Sequence, residues 1–138
     1  MQKISDLSET MIKNIESKRK WVRDHFTPET INQYNTISGK LNLLDVILKS
    51  NWIDKNEILK FQYLGITLGD VFVQDMNFIW IQIEDEFGID PAILLPDTTI
   101  RLFPMTMISK RIENGESIDI YEFYKGLKEK IKGIIPQA

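Results

Sequence analysis

Between Met76 and Ile83 the spacing of apolar residues changes from helical to alternating, and this one switch does most to limit the fold. Up to about Met76 the pattern is that of helices. Phe78-Ile79-Trp80-Ile81-Gln82-Ile83 is instead β-branched and aromatic, with Ile79, Ile81 and Ile83 alternating onto one face. Helical periodicity returns after Pro104. Helices, then strands, then helices again describe an α+β chain rather than alternating α/β.

Three helices are predicted before the switch. The first begins near Ser5 or Asp6, with Leu7, Met11, Ile15 and Val22 on one stripe and Trp21 and Phe26 beside it. Thr27-Pro28-Glu29 ends it, because Pro28 disfavours helix at the residue before it. The second spans Ile37 to Ser50, with Ile37, Leu41, Leu44 and Leu48 on one face and Gly39 weakening its start. The third is expected to start from a capping box in which Asp54 accepts from the first turn and Glu57 reaches back. Its Gly65 and Gly69 share a face, and each costs about 1 kcal/mol of helix propensity relative to Ala. Close approach of another backbone is the expected compensation.

After the first strand, Glu84 to Pro91 reads as strand end and turn. Ala92–Leu95 and Thr99–Phe103 read as two more strands around Pro96-Asp97-Thr98. Such short connections join antiparallel neighbours, so a three-stranded meander is expected. Pro104 opens a fourth helix that stops at Asn114-Gly115. The fifth runs from about Asp119, with Ile120, Phe123, Tyr124, Leu127 and Ile131 on one side. The reading is one domain over 1–138: three N-terminal helices, a three-stranded antiparallel meander and two C-terminal helices.

Composition excludes several functions. The 138 residues hold no Cys and only His25, which removes a disulfide framework, thiol catalysis, Cys-ligated metals and a multi-histidine metal site. No cofactor and no metal ligand set is assigned. The N-terminal region lacks the apolar run of a signal peptide and no stretch suits a bilayer, so the expected location is cytoplasmic, with no membrane partner. The net charge of −3 is unevenly spread. Residues 1–25 carry six basic and four acidic side chains, 51–97 two and nine, and 98–138 seven and five.

Several blocks in order carry a resemblance: Lys40-Leu41 with Leu43-Leu44, Leu64-Gly65 with Leu68-Gly69-Asp70, Trp80, Glu84 to Gly88, and Asp90-Pro91-Ala92. Phe103-Pro104, Ser109 to Glu113, Glu116 and Asp119 complete it. Over about residues 40–132 the chain resembles an uncharacterised bacterial family, the domain of unknown function numbered 3806. The resemblance implies a single domain and a bacterial origin, and no activity. Residues 1–35 fall outside it and read as a helical N-terminal extension.

The candidate polar cluster is Glu84, Asp85, Glu86 and Asp90, with Arg101, Arg111 and Trp80. Oxygen-only ligands suit a hard cation, but the spacing is not that of an EF-hand loop, and along a strand Asp85 faces away from Glu84 and Glu86. The plainer reading is a solvated turn, with Arg111 paired to Glu84 or Glu86. Trp80 shares a strand face with Phe78 opposite the isoleucines, and the set Trp52, Phe61, Tyr63, Phe72, Phe78, Trp80 and Phe87 reads mainly as core. Lys18 to Arg23 resembles a nucleic-acid footprint, yet at helical spacing it spreads around the cylinder, so nucleic acid is not the expected partner.

The leading functional reading is a non-catalytic binding or regulatory domain acting through a protein surface. By analogy alone, its acidic segment could neutralise a basic partner as an immunity protein does. The alternative is a hydrolase or lyase using Glu84, Asp85 or Glu86 with Arg111, with or without a divalent cation. A homodimer is compatible with either.

Overall fold

Ser8, not Ser5 or Asp6, opens the first helix. Its Oγ accepts from the Met11 N–H at 3.2 Å, and helix α1 spans Glu9–Arg23. The delay has a cause. Lys3–Ser5 form a strand, β1, that pairs antiparallel with β2 (Ile79–Asp85), Lys3 lying opposite Glu84. The Ser8 N–H then donates to Gln82 Oε1 at 3.0 Å, fastening the start of α1 to the sheet. The sheet therefore has four strands rather than three, and the N-terminal region is not a purely helical extension. This computed structural model describes residues 2–25, 27 and 30–135, so the expectations for Phe26 and Pro28 lie outside the described residues.

Helix α2 (Ile37–Lys49) is capped by Thr36, whose Oγ1 accepts from the Gly39 N–H at 2.9 Å. Helix α3 (Ile58–Met76) has no side-chain cap. The Glu57 N–H bonds the Asp54 carbonyl at 2.9 Å, so the expected capping box is a backbone turn instead. The two glycines of α3 do allow close approach. A Cβ on Gly65 would lie 2.3 Å from the Pro104 carbonyl oxygen, and one on Gly69 would lie 2.6 Å from the Trp80 ring. One glycine thus seats a backbone and the other an indole.

Strand β3 is Gly88–Leu94, longer than expected, so Gly88 to Pro91 belong to the sheet and the turn is only Glu86-Phe87. Pro91 fits there because β4 (Arg101–Leu102) pairs only with Ile93 and Leu94, leaving the Pro91 stretch at an edge where a missing N–H is tolerated. Strand order follows chain order, β1-β2-β3-β4, and every pairing is antiparallel. A short 3-10 turn at Pro104–Thr106 leads into α4 (Met107–Glu113). Helix α5 (Ile120–Ile134) is capped by Asp119, whose Oδ1 accepts from the Tyr121 and Glu122 N–H groups.

The main core lies between α3 and the sheet face carrying Phe78, Trp80 and Ile93, closed by α2, α4 and α5. Leu44, Leu64, Leu68, Phe72, Phe78, Ile93, Ile108 and Ile120 are fully buried in it. Each such side chain contributes about 1.5–3 kcal/mol. Ile81, Ile83 and Ala92 form a second, small buried cluster. Two members of the expected aromatic core are outside it: Trp52 is 53% exposed and Phe87 89%.

Candidate functional site

The acidic cluster sits on the β2–β3 hairpin and does not converge. Asp85 Oδ1 accepts from the Phe87 N–H at 2.8 Å, which fixes the turn. Glu86 and Asp90 are exposed, and Glu84 makes no ion pair among the described residues. No three His, Cys, Asp or Glu among the described residues come together as a metal site. Arg111 does not reach these acids. Its guanidinium pairs with Glu116 at 3.4 Å and lies 4.6 Å from the Phe123 ring centroid, because α4 turns directly into the Asn114-Gly115 stop and brings Glu116 back beside it. Arg101 donates to Gln2 Oε1 at 2.6 Å rather than to an acid.

The carboxylate that does gather partners is Asp70, which no spacing or motif singles out beyond its place beside Gly69. Arg19 reaches it bidentately, Nε to Oδ2 at 2.6 Å and the second nitrogen to Oδ1 at 2.9 Å. Trp80 Nε1–H donates to Oδ1 at 3.0 Å and the Tyr34 hydroxyl to Oδ2 at 3.2 Å. Tyr34 also lies 2.9 Å from Thr67 Oγ1. Burial works against the Arg19 charge, but Asp70 and Glu16 outweigh it and raise its pKa. Burial and the Asp70 charge push the Tyr34 hydroxyl up as well. Every atom of the set is satisfied, and the arrangement links α1, α3 and β2. It is a structural joint.

Nearby, Lys40 is buried. It donates to Gln74 Oε1 at 2.6 Å and lies 5.2 Å from the Tyr34 ring centroid, and burial lowers its pKa. The basic run of α1 is similarly occupied: Arg19 and Arg23 bind Glu16, and Lys20 binds Asp24. Lys18, of the same run, donates to Asn14 Oδ1 at 3.1 Å.

The open concavities lie elsewhere. A groove of about 520 Å³ runs between β4, α4 and α5, floored by Leu102, Met107, Phe123 and Leu127, with Arg101, Lys110 and Arg111 at its rim. A second hollow of about 710 Å³ continues from it past Arg101, Leu102 and Leu127 along α5 to Ile134. Another, of about 500 Å³, lies between Trp21, Tyr63 and the turn before α3. Its charged groups, Glu57 and Lys60, pair with each other at 2.5 Å. Of these three concavities the groove at β4 carries the largest excess of cations, and it unites Arg101 and Arg111 of the candidate residues. Trp80 belongs to the Asp70 joint, and Glu84, Asp85, Glu86 and Asp90 to the hairpin.

The chain belongs to the family described as Domain of unknown function (DUF3806), whose profile matches residues 40–124. The matched span holds Asp70, Trp80, the hairpin and most of the groove, while Arg19 and Tyr34 precede it. Among solved structures, the chain is similar to a crystal structure from Bacteroides thetaiotaomicron VPI-5482, with a TM-score of 0.75 at 15% identity. That match covers 94% of this chain and 48% of the other, so the chain spans about half of that protein's length. At this identity the likeness shows the fold alone. No curated protein matches. The function is unknown, and nothing in the family or in this solved relative indicates catalysis. No helix among the described residues is long and apolar enough to cross a membrane.

Proposed function

We propose that this chain is a bacterial, cytoplasmic, single-domain binding module that acts without catalysis, and that its working surface is the groove between β4, α4 and α5. The observation carrying this reading is the pairing of an apolar floor with a cationic rim. Leu102, Met107, Phe123 and Leu127 offer dispersion contacts and area to bury, while Arg101, Lys110 and Arg111 select for negative charge. Beside them β4 is a short edge strand, paired on one side to β3, which suits an extended segment. The ligand that fits is a protein segment combining acidic side chains with a large apolar one. The enzyme alternative loses support, since its carboxylates lie around a turn and Arg111 is engaged by Glu116.

The test is a fluorescence-anisotropy titration with two synthetic decapeptides, one alternating Glu with Phe and one alternating Lys with Phe. The acidic peptide binds, weakens as salt rises, and loses affinity for the Arg101→Glu/Lys110→Glu variant. Equal binding of both peptides, or of neither, refutes the reading.

A further inference from the structure

We infer that the segment fitting this groove is the β2–β3 hairpin tip of a second copy of the chain, so that two copies associate reciprocally. The inference rests on the groove being a binding surface, as proposed above. The hairpin has the required chemistry. Its two-residue turn presents Phe87 at 89% exposure, the most exposed large apolar side chain among the described residues. Glu84, Asp85, Glu86 and Asp90 flank it in sequence. The tip is also rigid. Asp85 Oδ1 holds the Phe87 N–H, and Gly88 takes a φ of +131° to return the chain into β3. Those contacts brace the backbone, and an aromatic side chain has only two torsions to order on docking, so its ordering cost is small for the area it buries.

The groove supplies the counterpart: an apolar floor and three cations, one of them partly neutralised by Glu116. On the hairpin, Lys3 opposite Glu84 offsets one acid, so the tip remains net negative and the rim net positive. Asp70 and Asp75 already meet Arg19 and Lys128 within one chain, whereas the hairpin acids and the groove cations would meet between two.

Geometry decides against a chain filling its own groove. Arg101 pairs with Leu94, and Leu94 and Gly88 are opposite ends of β3, about 20 Å apart at strand rise. The backbones of tip and groove therefore lie toward opposite ends of β3, although the Arg101 side chain reaches back to Gln2, beside Lys3. A two-fold axis across the strands brings each tip to the other copy's groove and closes the pair, whereas head-to-tail docking would run on as an open chain.

The experiment uses sedimentation velocity on the full chain over a concentration series. The expected result is a species of twice the 16.2 kDa chain mass, dissociating at about 1 M salt, where the Debye length falls to about 3 Å. Phe87→Ser weakens association about tenfold or more. The Glu84→Lys/Glu86→Lys variant and the Arg101→Glu/Arg111→Glu variant are each monomeric, and an equimolar mixture of the two dimerises, which also proves both folded. A wild-type chain that stays monomeric, a dimer indifferent to the hairpin substitutions, or a mixture that stays monomeric overturns the inference. A peptide of residues 82–91 separates the two readings. If the chain is monomeric but the Glu–Phe decapeptide binds the groove, self-association fails and the binding surface stands. If neither that decapeptide nor the hairpin peptide binds, both fail.

Discussion

Asp70 and the hairpin acids are the same chemistry in opposite circumstances. Asp70 lies on α3 with its side chain 13% exposed and receives hydrogen bonds from Arg19, Trp80 and Tyr34, which come from three different parts of the chain. Glu86 and Asp90, at the other extreme, project into solvent, and Asp85 serves only its own turn. A carboxylate held like Asp70 organises the fold and has no capacity left for a ligand. Carboxylates placed like Glu86 and Asp90 tie no elements together among the described residues and stay open to solvent. Density of charge along the sequence pointed to the second group, whereas the structural weight lies on a single residue of the first.

The contrast can be broken at its strong end first. Asp70→Ala leaves the Arg19 guanidinium, Trp80 Nε1–H and Tyr34 hydroxyl without their acceptor, and is expected to destabilise the chain by about 3–4 kcal/mol in urea unfolding. A loss under about 1 kcal/mol would mean that the joint is ornamental. Next is Gly65→Ala. Helix propensity favours it by about 1 kcal/mol, but the Cβ would meet the Pro104 carbonyl oxygen at 2.3 Å. Because that atom is backbone, overpacking prevails and a net loss of about 2 kcal/mol is expected, read in the same assay.

A third measurement uses pH. Asp75 accepts from Lys128 Nζ at 2.7 Å and from the Tyr124 hydroxyl, and these hydrogen bonds hold its carboxyl below the usual value of 3.8. A depressed folded-state pKa gives stabilisation that is complete above about pH 4 and lost as pH falls through the folded value. Asp75→Asn therefore costs about 1 kcal/mol at neutral pH, and the gap to wild type narrows below pH 4. A gap that stays constant with pH would assign the cost to shape rather than charge. The smallest effect belongs to the hairpin. Glu84→Gln/Glu86→Gln should shift stability by no more than about 0.5 kcal/mol, measured at low protein concentration so that association does not contribute. A larger loss would erase the distinction between the two regions.

Most of the architecture was legible in the sequence because it is local. The α2 stripe, the end of α3 at Met76, the Ile81/Ile83 alternation and the Gly115 stop each follow from neighbours a few residues away. The close approach at Gly65 and Gly69 was legible as a debt that something had to offset. What escaped was long-range. Three residues, Lys3–Ser5, show no periodicity, and only pairing with β2 makes them a strand. Gly88 to Pro91 carry turn-forming residues, yet their register with β2 overrides local preference. Asp70 has partners 51, 36 and 10 residues away, and no spacing rule reports such a set. Of the candidate residues, Arg101 and Arg111 do share a groove, but the acid expected to bind Arg111 came from the helix end rather than the sheet.

The pairing of Lys3 with Glu84 has a consequence for how the chain acquires its shape. During synthesis β1 emerges first, and its partner strand is completed only at Asp85, after three helices have been made. Closing so long a loop is entropically costly until α1 and α3 have already docked, so this pairing belongs to the late, slow part of folding. Until then the outer edge of β2 is open, and a strand made before all three helices is among the last to find its place.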